Sequence, residues 1–173
     1  MDFYDIAYPG ALSPGGAQAT LGFKRIFAIG REIRLVDTDE AGRGSPAGAL
    51  CMGRAGEALC AAAKASPRAI CIRDYRIDRK LVETMREREL TLCIGLDRLM
   101  AGHGLARSRA IYMASKLLRY AMGRRLRIAF ATLAGSEELL ASPMQIIEVA
   151  RLLGADERTA RAGAGEAIRA IFE

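Results

Sequence analysis

Histidine is almost missing from this chain: of its 173 residues only His103 is one. A multinuclear metal centre would have to rest on carboxylates such as Asp5, Asp37, Asp74 and Asp97, each near the end of an expected strand, where aspartate is also common as a turn former. The cysteines are few and poorly spaced for chemistry. Cys51, Cys60, Cys71 and Cys93 stand 9, 11 and 22 positions apart, neither a CxxC metal pair nor a compact disulfide framework, so they read as reduced core thiols. No run of 18 or more apolar residues is available to span a bilayer, and no membrane association is expected. Met1 to Asp5 lacks the basic start of a secretory signal, which makes the cytoplasm the expected compartment. Lysine is scarce too, 4 of 26 basic residues against 22 arginines. That bias suits planar, bidentate contacts with phosphates, although GC-rich codon usage produces it as well.

What is present is a globular composition. With 51% apolar residues the chain buries a full core but hardly more than one, so residues 1–173 are expected to form a single domain. The net charge of +6 is unevenly built: 5 basic and 6 acidic residues in 1–50, 10 and 7 in 51–100, 11 and 7 in 101–173. The basic surplus lies after residue 50.

Short apolar, β-branched runs recur along the chain. Phe3–Tyr8, Arg25–Ile29, Ile33–Val36, Ala49–Met52, Ala69–Ile72, Thr91–Leu96 and Arg127–Leu133 read as about seven strands. Helices are expected at 57–65, 77–89, 107–122, 144–153 and 157–171, with a poor one at 17–23, and Ser142-Pro143 reads as an N-cap followed by the first helical residue. In the second of these helices Ile77, Leu81, Val82 and Met85 form one apolar stripe, and Arg79 is placed to pair with Glu83. Continuous apolar strands, each followed by a helix, imply a parallel sheet buried on both faces. A full eight-fold barrel takes about 250 residues, so the expected α/β fold is a shortened, irregular TIM-like barrel of about seven parallel strands with outer helices, or a doubly wound sheet.

Few segments carry a chemical signature. Gly42-Arg43-Gly44 with Gly48 misses the dinucleotide fingerprint by one place. Gly53 and Gly56 either offer backbone N–H groups to a phosphate or serve close packing. His103, between Gly102 and Gly104, reads as a solvated loop residue with no nucleophile beside it.

The most informative feature is charge of one sign. From Arg98 to Ser136 there are eight basic residues, Arg98, Arg107, Arg109, Lys116, Arg119, Arg124, Arg125 and Arg127, and no acid. On a helix at about 100° per residue, Ile111, Ala114, Leu117, Leu118 and Ala121 take one side. Arg109, Tyr112, Lys116, Arg119 and Tyr120 take the other, a stripe that can neutralise phosphates and offer rings for stacking. A second basic group, Arg68, Arg73, Arg76, Arg79 and Lys80, brackets the strand at 69–72, with Arg73 and Arg76 beyond its carboxyl end.

In order and spacing the chain resembles the archaeal ribonuclease P protein component 3 family. The carriers are Phe3-Tyr4-Asp5-Ile6, Leu21-Gly22-Phe23, Arg76–Met85 leading into LCIGLDRL at 92–99, the basic helix, FATLAGS at 130–136, SPMQIIEVARLLG at 142–154 and the Ala-rich end. It departs at Pro143-Met144-Gln145 and in a compressed first 50 residues. The resemblance implies a TIM-like protein of the polymerase and histidinol phosphatase superfamily that performs no chemistry itself. It would support the RNA-catalysed removal of 5′ leaders from precursor tRNA. Mg²⁺ would be used by the RNA, with no cofactor on the protein.

The implied partners are ribonuclease P RNA, precursor tRNA, ribonuclease P protein component 2 in a heterotetramer, and the other ribonuclease P proteins. Carry-over places RNA contacts at Arg76, Arg98, Arg107, Lys116, Arg119 and the turn ending at Ser136; charge alone adds Arg73, Arg109, Arg124 and Arg125. Enzymes of that superfamily mark the first strand with an H-x-H metal pair, where this chain has Asp5-Ile6-Ala7. The alternatives are a metal-dependent phosphoesterase and a basic scaffold with protein partners only.

Overall fold

The structure, a computed structural model, describes residues 2–9, 21–39 and 47–172. The glycine pattern at 42–48 lies largely outside them, as does most of the expected helix at 17–23. Seven strands run in chain order: β1 (Tyr4–Ala7), β2 (Arg25–Ala28), β3 (Leu35–Asp37), β4 (Leu50–Gly53), β5 (Ala69–Ile72), β6 (Thr91–Gly95) and β7 (Arg127–Ala131). All ladders are parallel, β1 with β2 and, separately, β3-β4-β5-β6-β7 in sequential order.

The helices are α1 (Glu57–Lys64), α2 (Arg79–Glu87), α3 (Asp97–Ala101), α4 (Gly104–Gly123), α5 (Pro143–Leu152), α6 (Glu157–Ala164) and α7 (Glu166–Phe172), with a 3-10 turn at Glu137–Leu139. No helix among the described residues is long and apolar enough to cross a membrane.

The strands form because both faces are buried. Cys51, Ile70, Ile72, Leu92, Ile94, Ile128 and Phe130 point one way into a core shared with helices α1, α2, α4 and α5. Their neighbours Leu50, Met52, Ala69, Cys71, Cys93, Ala129 and Ala131 point the other way, meeting Tyr4, Ile6 and Phe27 and, from α7, Ala167, Ile168 and Ile171. The last helix thus covers the inner face. Each fully buried Leu or Ile on these faces contributes about 1.5–3 kcal/mol. The four cysteines are free and buried, as expected of core thiols.

The two sheets meet along a seam. The Leu133 N–H donates to Ile6 O and the Tyr8 N–H to Ala134 O, both at 2.9 Å. Asp5 fastens the same junction from inside. Its Oδ1 accepts the Ile6 and Thr132 N–H groups at 2.8 Å, and its Oδ2 accepts the Thr132 hydroxyl at 2.5 Å. On the far side, among the described residues, no ladder joins β2 to β3, and only the Ile29–Ile33 bridge links their ends. The observed fold is therefore mixed α/β with a five-stranded parallel sheet and outer helices, without a closed barrel among the described residues.

Local chemistry sets the helix ends. The Asp78 carboxylate caps α2 by accepting the Leu81 N–H at 3.0 Å, and Asp156 caps α6 through Thr159 at 2.7 Å. Ser142 and Gln145 form the reciprocal capping box that starts α5 at Pro143. Three expectations change. The closing helix divides in two at Gly165, and an additional helix, α3, follows β6 where five residues are too few to show periodicity. Glu83 pairs not with Arg79 but with Arg86 and Arg124. Gly163 lets α6 lie on β7: a Cβ there would stand 2.4 Å from the Phe130 ring and 3.2 Å from Ile128 O.

Candidate nucleic-acid interface

Parallel strands bring their carboxyl ends to one side, and the residues that leave those ends build the site. β3 ends on Asp37. Directly after β5 come Arg73, Asp74, Tyr75 and Arg76, and after β6 come Asp97 and Arg98 at the start of α3. Arg73 is held from two directions, its N–H donating to Gly53 O at 2.8 Å and its guanidinium pairing with Asp37 at 2.7 Å. The Arg98 guanidinium donates to Arg73 O at 3.1 Å. Asp74 accepts the Ala55 N–H at 3.1 Å and lies 3.6 Å from Arg76.

Tyr75, at φ +53, turns its ring inward and its hydroxyl donates to Gly95 O at 2.6 Å, which fixes the backbone between the two arginines. Burial pushes the Tyr75 hydroxyl up in pKa. The early turns of α4 then add Arg109, Leu105 and Met113. Together Arg73, Arg76, Arg98 and Arg109 line one groove of about 450 Å³.

The electrostatics of the groove are unbalanced in favour of cations. Burial raises the Asp97 carboxyl, against its hydrogen bonds and the charges of Arg98 and Arg73. Partial burial opposes the Arg73 charge, but Asp37 and Tyr8 outweigh it and raise its pKa. Burial raises Tyr8 as well. Arg98 and Arg109 have no carboxylate within ion-pair distance among the described residues. Two guanidiniums are thus positioned by aspartates and two face solution, an arrangement chemically suited to oxyanions such as phosphates.

The remaining expected contacts do not gather here. Arg107 is exposed, about 160° around α4 from Arg109, and flanks Gly102. Lys116 sits 5.4 Å above the Tyr112 ring, which is 59% exposed. Arg119 lies against Gly154 on the same flank, its Nε 3.4 Å from Ser115 O. At the far end of α4, Arg124 pairs with Glu83 at 2.7 Å and covers the Tyr120 ring at 5.3 Å. Arg125 is exposed with φ +58, and Ser136 is half-buried before the 3-10 turn.

Tyr120 corrects its expected place on the exposed stripe. It is half-buried, with Arg124 over its ring and its hydroxyl buried and unbonded. His103 stands at the N-cap position of α4, exposed and not capping through its side chain.

The four aspartates considered as ligands also separate. Asp5 is inside the seam, Asp37 is on Arg73, Asp74 supports Ala55, and Asp97 opens α3; among the described residues no group of three or more His, Cys, Asp or Glu is placed to hold a metal. Gly53 serves close packing, a Cβ there falling 2.0 Å from Thr38 Oγ1. Spacing alone held no signal for the Asp37–Arg73 pair, which joins residues 36 positions apart.

Neither a protein-family model nor a curated protein sequence matches the chain. A solved structure does. The A. niger ochratoxinase crystal structure superposes with a TM-score of 0.53 at 17% identity, over 72% of this chain and 30% of that one. The match therefore takes in under a third of the neighbour's length, and at that identity the likeness concerns the fold alone, an α/β arrangement of the TIM-like kind.

Proposed function

We propose that this chain is an RNA-binding protein subunit of ribonuclease P, supporting removal of 5′ leaders from precursor tRNA without performing the chemistry. The observation that carries the reading is the convergence of Arg73, Arg76, Arg98 and Arg109 on one groove beside a helix that has no acidic residue. Phosphate contacts of this kind position a folded RNA without reading its sequence. The accompanying fold reading is a shortened TIM-like barrel, supported by the seam that sets β1 beside the end of β7 and so joins the two parallel sheets. Asp5 supports a non-catalytic role, since it stands where related enzymes carry a metal pair and its oxygens are engaged by Thr132 and Ile6. The partners in this reading are ribonuclease P RNA, precursor tRNA, component 2 in a heterotetramer and the other ribonuclease P proteins. Mg²⁺ is held by the RNA, and the compartment is the cytoplasm.

Reconstitution tests it. Cleavage of precursor tRNA by the cognate RNA at low Mg²⁺, with component 2 present, is expected to depend on this protein. RNA binding is expected to weaken steeply between about 50 and 200 mM salt. Cleavage indifferent to its omission, or salt-insensitive binding, refutes the proposal. Phosphodiester turnover by the protein alone with added Mn²⁺ would replace it with the phosphoesterase reading.

A further inference from the structure

At the amino end of β7, away from the arginine groove, a cavity of about 550 Å³ opens between the end of α4 and helices α6 and α7. Its volume is that of a small-molecule site. The lining divides by chemistry. Met122, Ala162 and Ala170 give the lining apolar side chains, Arg127 and Arg158 give it two exposed cations, and Thr159 and Glu166 add polar groups.

The three charged residues are exposed, and among the described residues none has an ion-pair partner. Nearby arginines are committed instead, Arg124 to Glu83 at 2.7 Å and Arg161 to Glu157 at 2.9 Å. Arg127, Arg158 and Glu166 thus leave their charged ends open to solution beside the cavity, the Arg158 charge also acting on Asp156.

Two guanidiniums call for an oxyanion. A bare phosphate would leave Glu166 facing an anion and the apolar wall uncovered. A ligand that answers every wall carries phosphate at one end and, at the other, a flat group with N–H donors. Nucleotides have that constitution. Among the bases guanine alone presents two adjacent donors, N1–H and the N2 amino group, which one carboxylate accepts together.

We infer that the cavity is a nucleotide site: phosphate on Arg127 and Arg158, base along Met122 and Ala162, and guanine selected by Glu166. A free guanosine monophosphate and an unpaired guanosine in an RNA share this chemistry. The inference does not rest on the ribonuclease P reading, because the site lies away from the groove.

Calorimetric titration of the whole chain with GMP and with AMP, alongside anisotropy on an RNA hairpin carrying one unpaired guanosine or adenosine, tests it. Guanine is expected to bind about fivefold or more tighter than adenine in at least one format. Glu166→Gln is expected to abolish that preference. Arg127→Ala with Arg158→Ala should weaken both bases by about tenfold or more. Ala162→Met, which narrows the cavity at its apolar wall, should weaken binding by about tenfold or more while leaving thermal unfolding unchanged.

Preference seen with free GMP identifies a mononucleotide site, and preference seen only in the hairpin identifies RNA as the source; both uphold the inference. No discrimination in either format, or discrimination that survives Glu166→Gln, overturns it. Arg98→Glu with Arg109→Glu is the control, lowering binding of ribonuclease P RNA while leaving GMP binding intact, so the two readings fail separately.

Discussion

The seam between β1 and β7 and the groove at the carboxyl ends of β3, β5 and β6 both depend on aspartate, and they use it in opposite ways. At the seam Asp5 is fully buried, pairs with no cation among the described residues, and is answered by two N–H groups and a hydroxyl. Burial raises its pKa to about 7, against those hydrogen bonds. In the groove Asp37 and Asp74 keep partial contact with water and each faces an arginine. The lesson is that access to solvent and to a cation, not residue type or place on a strand, decides whether an aspartate fastens the core through N–H and O–H donors or supports a guanidinium at the surface.

The sharpest way to break that contrast is at Asp5. Asp5→Ala leaves two N–H groups and the Thr132 hydroxyl unanswered in the core, and the expected loss is about 3–4 kcal/mol in urea unfolding. Asp5→Asn, which keeps a neutral acceptor, should lose much less. An Ala variant within about 1 kcal/mol of the parent would mean that the seam is held by its backbone bonds alone.

Next in size is the groove. Arg98→Glu with Arg109→Glu should weaken RNA binding by about a hundredfold, close to 2.7 kcal/mol, while lowering stability by no more than about 1 kcal/mol through the lost Arg98–Arg73 bond. The same reversal at Lys116 and Arg119, on the flank of α4, should cost under about tenfold. Equal losses from the two pairs would show that the groove has no privileged role.

A smaller effect is expected from pH. Asp5 ionises near 3.8 when unfolded and near 7 when folded, so the folded chain retains a proton that the unfolded chain has lost. Its contribution is complete below the lower value and falls as pH rises, by up to about 1.4 kcal/mol per unit between the two, then levels off. Unfolding midpoints at pH 5 and 6 should differ in that direction and converge in Asp5→Asn. A parent chain that gains stability over this interval through Asp5 would contradict a raised Asp5 pKa. The smallest effect is at Arg124: because it pairs with Glu83, Arg124→Ala should lower RNA affinity less than about twofold and stability by about 0.5 kcal/mol.

Much of the fold was legible residue by residue. AICI at 69–72 reads as a strand and is one, with both faces buried. Ser142-Pro143 reads as a helix start, and α5 begins there. The stripe of Leu81, Val82 and Met85 is fully buried, with Ile77 half-buried beside it. These follow from local rules of period and capping. The acid-free run from Arg98 to Ser136 was legible as charge but not as a surface: α4 is 20 residues long, about 30 Å, so its two ends cannot serve one contact. Arg109 and Arg124 therefore ended in different surroundings.

By itself the chain's sequence determined which segments become strands and helices, that the strands lie parallel with both faces covered, and that arginine rather than lysine supplies the cationic surface. Those properties reside in periodicity and composition, which act over a few residues at a time. Only the tertiary structure decided that Asp37 meets Arg73, that Asp5 is sealed against Thr132, and that four arginines from three segments share a groove. Each of those outcomes depends on residues far apart in the chain being brought within a few ångströms, and charge and desolvation energies are set by those distances and not by order along the backbone.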